Sequence, residues 1–361
     1  MACSEDCEPP EAEEDRTPNV QRLHFGTYHV CVIDDRQSIW CTGQNAAGQL
    51  GDGTTRSQDE LVEVAGLGNV ADFAVGLFDT NCAIDGDGAL YCWGSNRYGV
   101  LADDDLELSA EPVPIDGVGS VVDIAVGAFH ACAVNDESQL FCWGRNDRGQ
   151  LGLGVDADPI VTSPQRVEDV GPVRAVHAGG AHSCSLGIDG EVHCWGSNEF
   201  GQLGLAIDRT TDVGVPQNIS PFLPDGVVDL QVAFHHSCAV AGDERQLFCW
   251  GANDYGQFGL DDTDHRLEPT PIPEIAYVDE LALGGGQVCV DIDGDIYCAG
   301  EVMRPVEAVE QSGEGFIFRR SDVLQGVDEL WGGVLAVCGP TDVDTVACRG
   351  IEHEGLGDDV F

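Results

Sequence analysis

The sequence contains no lysine, so its 16 basic residues are all arginine, against 64 aspartate and glutamate residues. The formal net charge is −48 at neutral pH. A protein that binds nucleic acid needs a positive surface against the phosphates, and anionic lipid makes the same demand. The composition therefore argues against a DNA- or RNA-binding protein and against docking on a charged membrane surface.

Long apolar runs are also missing, because no segment approaches the roughly 18 apolar residues of a membrane-spanning helix. We therefore expect no transmembrane segment. The usual signatures of catalysis are absent as well: there is no GxSxG, no HExxH, no phosphate-binding Gly-Lys motif and no dinucleotide fingerprint. Paired carboxylates carry no information in so acidic a chain. We predict that the protein is not an enzyme and has no cofactor and no metal site.

The sequence does contain a regular spacing of cysteines. Fourteen of its 16 cysteines form seven pairs, and the first members of successive pairs are 49 to 54 residues apart. A fixed period of this length indicates a repeat protein. The pairs are Cys31 and Cys41, Cys82 and Cys92, Cys132 and Cys142, Cys184 and Cys194, Cys238 and Cys249, Cys289 and Cys298, and Cys338 and Cys348.

Each repeat of about 51 residues has the same order of four short strands. An apolar strand such as VVDIAVG (121–127) precedes the strand with the first cysteine, such as HACAV (130–134). An Asp-Gly turn leads to the strand with the second cysteine, and a Gly-rich loop leads to a Pro-bearing segment such as EPVPI (111–115). This pattern predicts an all-β fold, a seven-bladed β-propeller over residues 18–361. Residues 1–17 are predicted to be an acidic, flexible leader.

Two short antiparallel strands joined by a turn bring the cysteines of a pair within disulfide distance. We therefore predict one disulfide within each blade, with free buried thiols and structural zinc as alternatives. No repeat has the C-x₂₋₄-C doublet that zinc sites usually show. Disulfides indicate an oxidising compartment, so we expect a protein that is extracellular or in the cell envelope. No signal peptide is recognisable, as in a secretory protein after processing.

Two cysteines stand apart from the repeats. Cys3 follows Ala2, as in the last step of a bacterial lipoprotein signal, so it is a candidate for lipidation and a lipid anchor. The alternative is a disulfide between Cys3 and Cys7.

Five repeats continue after the second cysteine with one signature: CTGQNAAGQLG (41–51), CWGSNRYGVL (92–101), CWGRNDRGQLG (142–152), CWGSNEFGQLG (194–204) and CWGANDYGQFG (249–259). With the upstream G-x-x-H-x-C segments, this resembles the regulator of chromosome condensation repeat. That family forms seven-bladed propellers with about 50 residues per repeat. Cysteine-paired versions look like exported bacterial members, so the resemblance implies a bacterial protein that is extracellular or in the cell envelope. The resemblance covers roughly residues 18–350, but the sixth repeat departs from it over 301–321. The seventh repeat shows no clear last strand, so the closure of the ring stays open.

Most residues of the signature are predicted to be structural. Its asparagines should bond the backbone of their own loop, and the tryptophans that follow the second cysteine should pack between blades. The asparagines are Asn45, Asn96, Asn146, Asn198 and Asn253, and the tryptophans are Trp93, Trp143, Trp195 and Trp250. A histidine also recurs two residues before the first cysteine, at His29, His130, His182 and His236. A ring of imidazoles could hold a metal, but the resemblance implies a hydrogen-bonding core residue.

The resemblance implies a rigid binding module. The family takes its name from a nucleotide-exchange factor for a nuclear GTPase, and it includes a secreted β-lactamase inhibitor that binds its target with one face. We predict a monomeric, non-enzymatic protein-binding scaffold or inhibitor module whose protein partner is unknown and possibly basic. The alternatives are a guanine-nucleotide exchange factor for a small GTPase and an unrecognised enzyme that uses the central channel.

The corner before each first cysteine is the predicted binding rim, because equivalent repeat positions lie on one face of a propeller. The corners hold Tyr28, Phe78, Phe129, Phe234 and His235 in the first five repeats, and Gly285, Gly286, Val334 and Leu335 in the last two. Exposed aromatic side chains are typical hot spots, but such rings can also plug the channel mouth or pack on neighbouring blades. A second candidate set is Tyr98, Phe200 and Tyr255 in the N-x-[YF]-G loops, which we expect on the opposite face.

Overall fold

The chain folds as a ring of antiparallel sheets, one for each repeat. The computed structural model describes residues 20–154, 156–208, 211–300, 318–321, 329–332, 336–342 and 345–350. The predicted leader and the cysteines Cys3 and Cys7 lie outside the described residues. The only helical element in the described part is a 3₁₀ turn at Ser220–Phe222. No helix there is long and apolar enough to cross a membrane.

Each of the first three blades is one sheet of four consecutive strands. The first strand of a blade lies nearest the ring axis and the fourth lies outermost. Their strands are β1 (Val20–Phe25), β2 (His29–Asp34), β3 (Ile39–Gly43), β4 (Gln58–Glu63), β5 (Val70–Val75), β6 (Thr80–Asp85), β7 (Leu90–Ser95), β8 (Leu108–Pro114), β9 (Val121–Val126), β10 (His130–Asn135), β11 (Leu140–Arg145) and β12 (Ile160–Arg166).

The remaining repeats follow the same plan. Their strands are β13 (Val173–Ala178), β14 (His182–Gly187), β15 (Val192–Gly196), β16 (Val213–Asn218), β17 (Asp229–Val232), β18 (His236–Ala241), β19 (Gln246–Gly251), β20 (Arg266–Pro271), β21 (Glu280–Leu283), β22 (Gln287–Ile292), β23 (Asp295–Gly300), β24 (Arg319–Arg320), β25 (Trp331–Gly332), β26 (Ala336–Asp342) and β27 (Thr345–Gly350). The all-β propeller and the four-strand order predicted for a repeat are confirmed.

The predicted count of seven complete blades is wrong for the described residues. Six sheets have four strands, whereas the seventh repeat forms a three-stranded sheet of β25, β26 and β27. After Cys348 the sequence departs from the signature that follows the second cysteine in the first five repeats. The ring nevertheless closes, because β1 contacts β25 and β26, and Leu23, Val30 and Val32 pack in one cluster with Cys338.

The cysteine pairs lie at directly opposed positions of the two middle strands. In the third blade, for example, Cys132 is opposite Cys142. The predicted disulfides are confirmed in six blades: Cys31–Cys41, Cys82–Cys92, Cys132–Cys142, Cys184–Cys194, Cys238–Cys249 and Cys289–Cys298. Cys338 is also disulfide-bonded, and the strand register places it opposite Cys348.

The tryptophans of the signature join each blade to the preceding one. Trp93, Trp143, Trp195 and Trp250 are fully buried. Each Nε1–H donates to a backbone carbonyl of the preceding blade's loop at 2.7–3.0 Å, as Trp195 does to Gln150. The predicted position between blades is confirmed.

The recurring histidines join each blade to the next one. The Nε2 atom of His130 lies 2.9 Å from the hydroxyl of Ser183, which donates in turn to the Gln150 carbonyl at 2.8 Å. His182 contacts Ser237 in the same way at 3.2 Å, and His29 contacts Asn81 at 3.0 Å. These imidazoles are therefore hydrogen-bonding core residues. Within the described part of the chain, no group of three or more His, Cys, Asp or Glu side chains could hold a metal ion.

Removal of one hydroxyl from these contacts tests their contribution to stability. Ser183→Ala should lower the free energy of unfolding by about 1–3 kcal/mol, because the buried Nε2–H of His130 loses its acceptor. Urea unfolding of the variant and the parent protein measures the difference. Ser57→Ala, at an exposed position, is the matched control and should change stability by less than about 0.5 kcal/mol. Equal stabilities of the two variants would show that the histidine contact contributes little.

Candidate functional site

The corners and the N-x-x-G loops lie on the same face of the ring, so the prediction that they lie on opposite faces is wrong. In an antiparallel pair, one strand begins where its partner ends, and His130 at the start of β10 is opposite Gly144 near the end of β11. The corner before β10 and the loop after β11 therefore meet. The N–H of Arg145 donates to the carbonyl of Phe129 at 2.9 Å. Equivalent bonds join Gln44 to Tyr28, Ser95 to Asp79, Ser197 to Ala181 and Ala252 to His235.

The glycine of the Cys-Trp-Gly sequence allows this contact. Gly144 has φ of +107°, and a Cβ atom there would lie 2.7 Å from the carbonyl oxygen of Phe129. Any other side chain would be strained by the positive φ and would push the corner away from the loop. The signature glycine thus sets the distance between the two segments that form the face.

The signature asparagines hold the loops in shape, as predicted. In each of five blades the side-chain oxygen accepts the backbone N–H five residues later, at 2.8–3.3 Å. The side-chain amide of Asn96, for example, also donates to the carbonyls of Asp103 and Leu106. The loops that carry Tyr98 and Phe200 are therefore firmly fixed to the blades.

Aromatic rings from both predicted sets form one continuous group over the mouth of the central channel. Tyr98 lies 4.6 Å from Phe129, which stacks on Phe78 at 5.1 Å between ring centroids. Phe78 of the second blade meets Phe234 of the fifth blade at 6.2 Å, so the group spans the ring axis. His235 lies 4.4 Å from Phe234 and 4.4 Å from Phe200. We call these six residues the mouth cluster: Phe78, Tyr98, Phe129, Phe200, Phe234 and His235.

The mouth cluster packs over the channel and still reaches solvent, because all six residues are partly exposed. Tyr28 and Tyr255 stand outside the cluster, and Tyr28 is 47% exposed. In the sixth blade the corner carries only glycine, with Gly285 partly exposed and Gly286 buried. Val334 and Leu335 of the seventh repeat lie outside the described residues. The face is therefore aromatic over the second to fifth blades and lacks side chains at the sixth corner.

Arginine side chains border the mouth cluster, and the sequence reasoning did not single them out. The guanidinium of Arg145 lies 5.2 Å from the centre of the Tyr98 ring and 5.4 Å from that of Phe129. Arg97 approaches the Tyr98 ring at 5.4 Å. A cation over an aromatic face is attracted by the ring, by about 0.5–1 kcal/mol at exposed sites. Arg97 and Arg145 lie five and three residues after the second cysteine of their blades, in the loops that carry the signature. Their position in these loops is the sequence signal that could have identified them.

His235 is the one imidazole in the cluster. Burial lowers the pKa of its imidazole, although the carboxylates of Glu199 and Asp254 partly oppose this. His235 is therefore neutral at pH 7 and contributes an aromatic surface.

Carboxyl groups lie towards the other end of the channel, on the inner strands. The Oδ2 atom of Asp123 accepts the N–H of Val176 from the next blade at 2.7 Å, and burial raises the pKa of this carboxyl to about 6. Glu280 accepts the N–H of Leu330 at 2.9 Å, and burial raises its pKa to about 7. Inner strands are edge strands with free N–H groups, so these carboxyls serve to join neighbouring blades.

Comparisons with known proteins support the fold. The family model described as RCC1-like domain matches residues 3–304. The mouse probable E3 ubiquitin-protein ligase HERC4 is 32% identical over 289 residues, which cover 78% of this chain and 27% of that protein. The ultraviolet-B receptor UVR8 of Arabidopsis thaliana is 28% identical over 270 residues, 71% of this chain and 58% of the receptor. This chain thus spans about a quarter of the length of HERC4.

A solved structure has the same fold. Yeast RCC1 (Prp20), in its complex with Kap60, superposes with a TM-score of 0.74 at 20% sequence identity, covering 93% of this chain and 81% of that one. At this identity the similarity shows the fold alone.

Proposed function

We propose that this chain, which belongs to the RCC1-like domain family, is a non-enzymatic protein-binding module whose mouth cluster contacts the partner. The observation that carries the proposal is the continuous row of partly exposed rings from Tyr98 to Phe200 across the channel mouth. Aromatic residues are enriched at the centres of protein interfaces, where they bury much area at low entropic cost. A protein of the same fold, yeast RCC1 (Prp20), is bound to Kap60 in its crystal structure.

The chemistry of the described residues supports a binding role over a catalytic one. The cysteines of six blades are in disulfides and have no free thiolate. The recurring histidines are buried and neutral at pH 7, because burial lowers the pKa of His29 and His130 to about 4. Asp123 and Glu280 each accept a backbone N–H from the next blade. Each of these candidate groups already has a structural role.

The charge around the mouth cluster supports a basic partner. Acidic loops follow the N-x-x-G loops on the same face, with Asp103, Asp104 and Asp105 exposed in the second blade and Asp261 and Asp264 exposed in the fifth. A negative periphery attracts a positively charged protein over long distances and raises its association rate. Arg97 and Arg145 stand inside that periphery, where they would face a carboxylate or an aromatic ring of the partner.

The setting of this function is also a proposal. The disulfides within the blades support an exported protein of a bacterial cell surface or its surroundings, because such bonds persist in oxidising compartments. Cys3, at the position proposed for a lipid anchor, lies outside the described residues. The proposed module acts as a monomer that presents one face.

Substitution of mouth-cluster rings tests the proposed contact. A partner recovered from culture supernatant with the protein as bait should bind Phe129→Ala and Phe234→Ala about 2 kcal/mol more weakly than the parent, because each change removes a ring from the centre of the surface. Calorimetric titration measures the affinity, and thermal melting reports stability in parallel. The matched control is Phe222→Ala, which removes a ring that is 40% exposed in the 3₁₀ turn at the other end of the propeller.

The opposite result would place these rings in the packing of the propeller alone. If both variants bind the partner as the parent does and both melt much earlier, the mouth cluster is not the contact surface.

A further inference from the structure

We propose that the cavity beneath the mouth cluster receives one uncharged apolar side chain of the partner, about the size of leucine or phenylalanine. This inference rests on the proposed function and names the anchor that the face would take. The cavity lies in the channel and has a volume of about 210 Å³. Phe234 belongs both to the mouth cluster and to the cavity wall, so the two features are continuous.

The wall of the cavity selects against charge. The end of each inner strand contributes an apolar residue, such as Phe25, Val75, Val126, Ala178 and Leu283. The described wall includes no Asp, Glu, Arg or His, and Gln231 supplies its one polar side chain. Main-chain polar groups of the inner strands also face the cavity, but they carry no net charge, so a charged group placed there would find no counter-ion.

The volume suits a side chain rather than a larger group. An apolar cavity of about 150 Å³ in another protein accommodates benzene. The cavity here is larger than that and can hold a benzyl or isobutyl group. A free molecule of this size would leave the partly exposed rings above it uncovered, whereas a side chain on a protein loop would bring main chain over them. We therefore assign the cavity to an anchor of the protein partner.

The sixth corner provides the way in. From the first to the fifth blade, backbone hydrogen bonds join neighbouring corners: Thr27 to Leu77, Leu77 to Gly127, Ala128 to Gly179, and Gly180 to Phe234. Rings cover the channel over the same sector. At the sixth corner Gly285 is partly exposed and also lines the cavity, and it has no side chain to block an entering group. The described mouth is thus least covered beside Phe234.

The test uses amino-acid amides as probes of the anchor site. N-acetyl-phenylalaninamide and N-acetyl-leucinamide should bind the full chain with a Kd of about 1 mM, as compact ligands do, and N-acetyl-aspartamide should not bind. Ala178→Phe should weaken both apolar probes at least tenfold because the new ring fills the cavity. Phe25 and Leu283 occupy the same strand position in other blades, so the fold accepts such side chains there. Ligand-observed NMR measures the binding.

A matched variant separates filling of the cavity from a general effect of the new ring. Ala71→Phe makes the same change at an exposed position of β5 and should bind the probes as the parent does. If Ala178→Phe does not fold, Ala178→Leu provides the smaller filling. Unchanged probe binding to a folded Ala178 variant, or equal binding of the aspartate probe, would overturn the proposal.

A displayed library of random peptides distinguishes the proposed anchor in the cavity from the proposed contact with the mouth cluster. Peptides selected on the parent should carry a common leucine, phenylalanine or methionine and should lose binding to Ala178→Phe. Peptides and partner that bind Ala178→Phe normally but bind Phe129→Ala weakly would overturn the anchor and leave the mouth cluster as the contact surface. Binding that neither variant affects would overturn both.

Discussion

Full reduction of the cysteine pairs is expected to leave the chain unfolded at neutral pH. Each of the six disulfides joins residues separated by 9 to 11 positions, and closing such a loop contributes about 3 kcal/mol in the chain-entropy model. Together the six links exceed the stability of about 5–15 kcal/mol that is typical of a domain. Their cysteines are buried, so a reductant reaches them only when the protein is opened by denaturant.

The experiment compares two samples of the parent protein. One is unfolded in denaturant with a thiol reductant, alkylated and returned to buffer, and the other passes through the same steps without reductant. Near-ultraviolet circular dichroism of the buried tryptophans should return only in the second sample. At the level of one blade, Cys132→Ala with Cys142→Ala should lower the free energy of unfolding by about 3 kcal/mol. A reduced chain that regains the native spectrum would contradict the expectation, as would peptide mapping that finds bridges between repeats.

Acidification from pH 7 to pH 5 is expected to lower the free energy of unfolding by several kcal/mol. Burial lowers the pKa of His24, His29, His130 and His177 to about 4 and that of His236 to about 3, so all five stay neutral in the folded protein. In the unfolded chain the same side chains take up protons below about pH 6.5. Each therefore favours the unfolded state by about 2 kcal/mol at pH 5.

Buried carboxyl groups act in the opposite direction. Burial raises the pKa of Asp72, Asp79, Asp229 and Asp291 and, most strongly, that of Asp123 and Glu280. The pKa of Asp123 is raised to about 6 and that of Glu280 to about 7, so the folded protein binds protons there more strongly than the unfolded chain does. Asp123 and Glu280 add stability as the pH falls from 7, but their summed effect down to pH 5 is smaller than that of the five histidines. Ordinary carboxyls stay ionised in this range because their pKa lies near 4. The histidines should therefore set the sign.

A single substitution checks the assignment to histidine. Ala74, Ala125 and Ala282 occupy the position of His177 in other blades, each opposite the first cysteine of its pair. His177→Ala is therefore compatible with the fold and should reduce the loss of stability between pH 7 and pH 5 by about 2 kcal/mol. Urea unfolding at both pH values measures this. A parent protein whose stability is flat or rises on acidification would show that the carboxyls dominate.

The cysteine period predicted most of the fold because a repeat protein encodes one unit many times. The positions of the disulfides, the role of Asn146 in its loop and the packing of Trp195 between blades follow from one repeat and are confirmed in the others. The seventh sheet could not be predicted in the same way, since its sequence departs from the shared pattern after Cys348. Residues 301–317 of the sixth repeat and the N-terminal leader lie outside the described residues, so the expectations for them remain predictions.

The candidate site was predicted in its parts and not in its assembly. The aromatic corners and loops were identified, but their common face depends on which end of β11 lies beside the start of β10. The contact of Phe78 with Phe234 depends on the width of the ring and on a corner that is one residue longer in the second blade than in the third. Arg145 was overlooked because its role comes from the rings beside it. Glu280 was hidden among many acidic residues.

The hydrogen bonds between corners have a consequence for how this surface can change over evolution. Thr27, Leu77, Ala128 and Gly180 join the rim through backbone atoms, which every residue type but proline can supply. The hydrogen bonds between neighbouring corners therefore do not depend on the side chains at the tips of the corners. A descendant could exchange Phe129 or Phe234 for other residues and acquire a new binding preference on an unaltered scaffold. At the corners, main-chain atoms join neighbouring blades, while side-chain atoms set the binding preference.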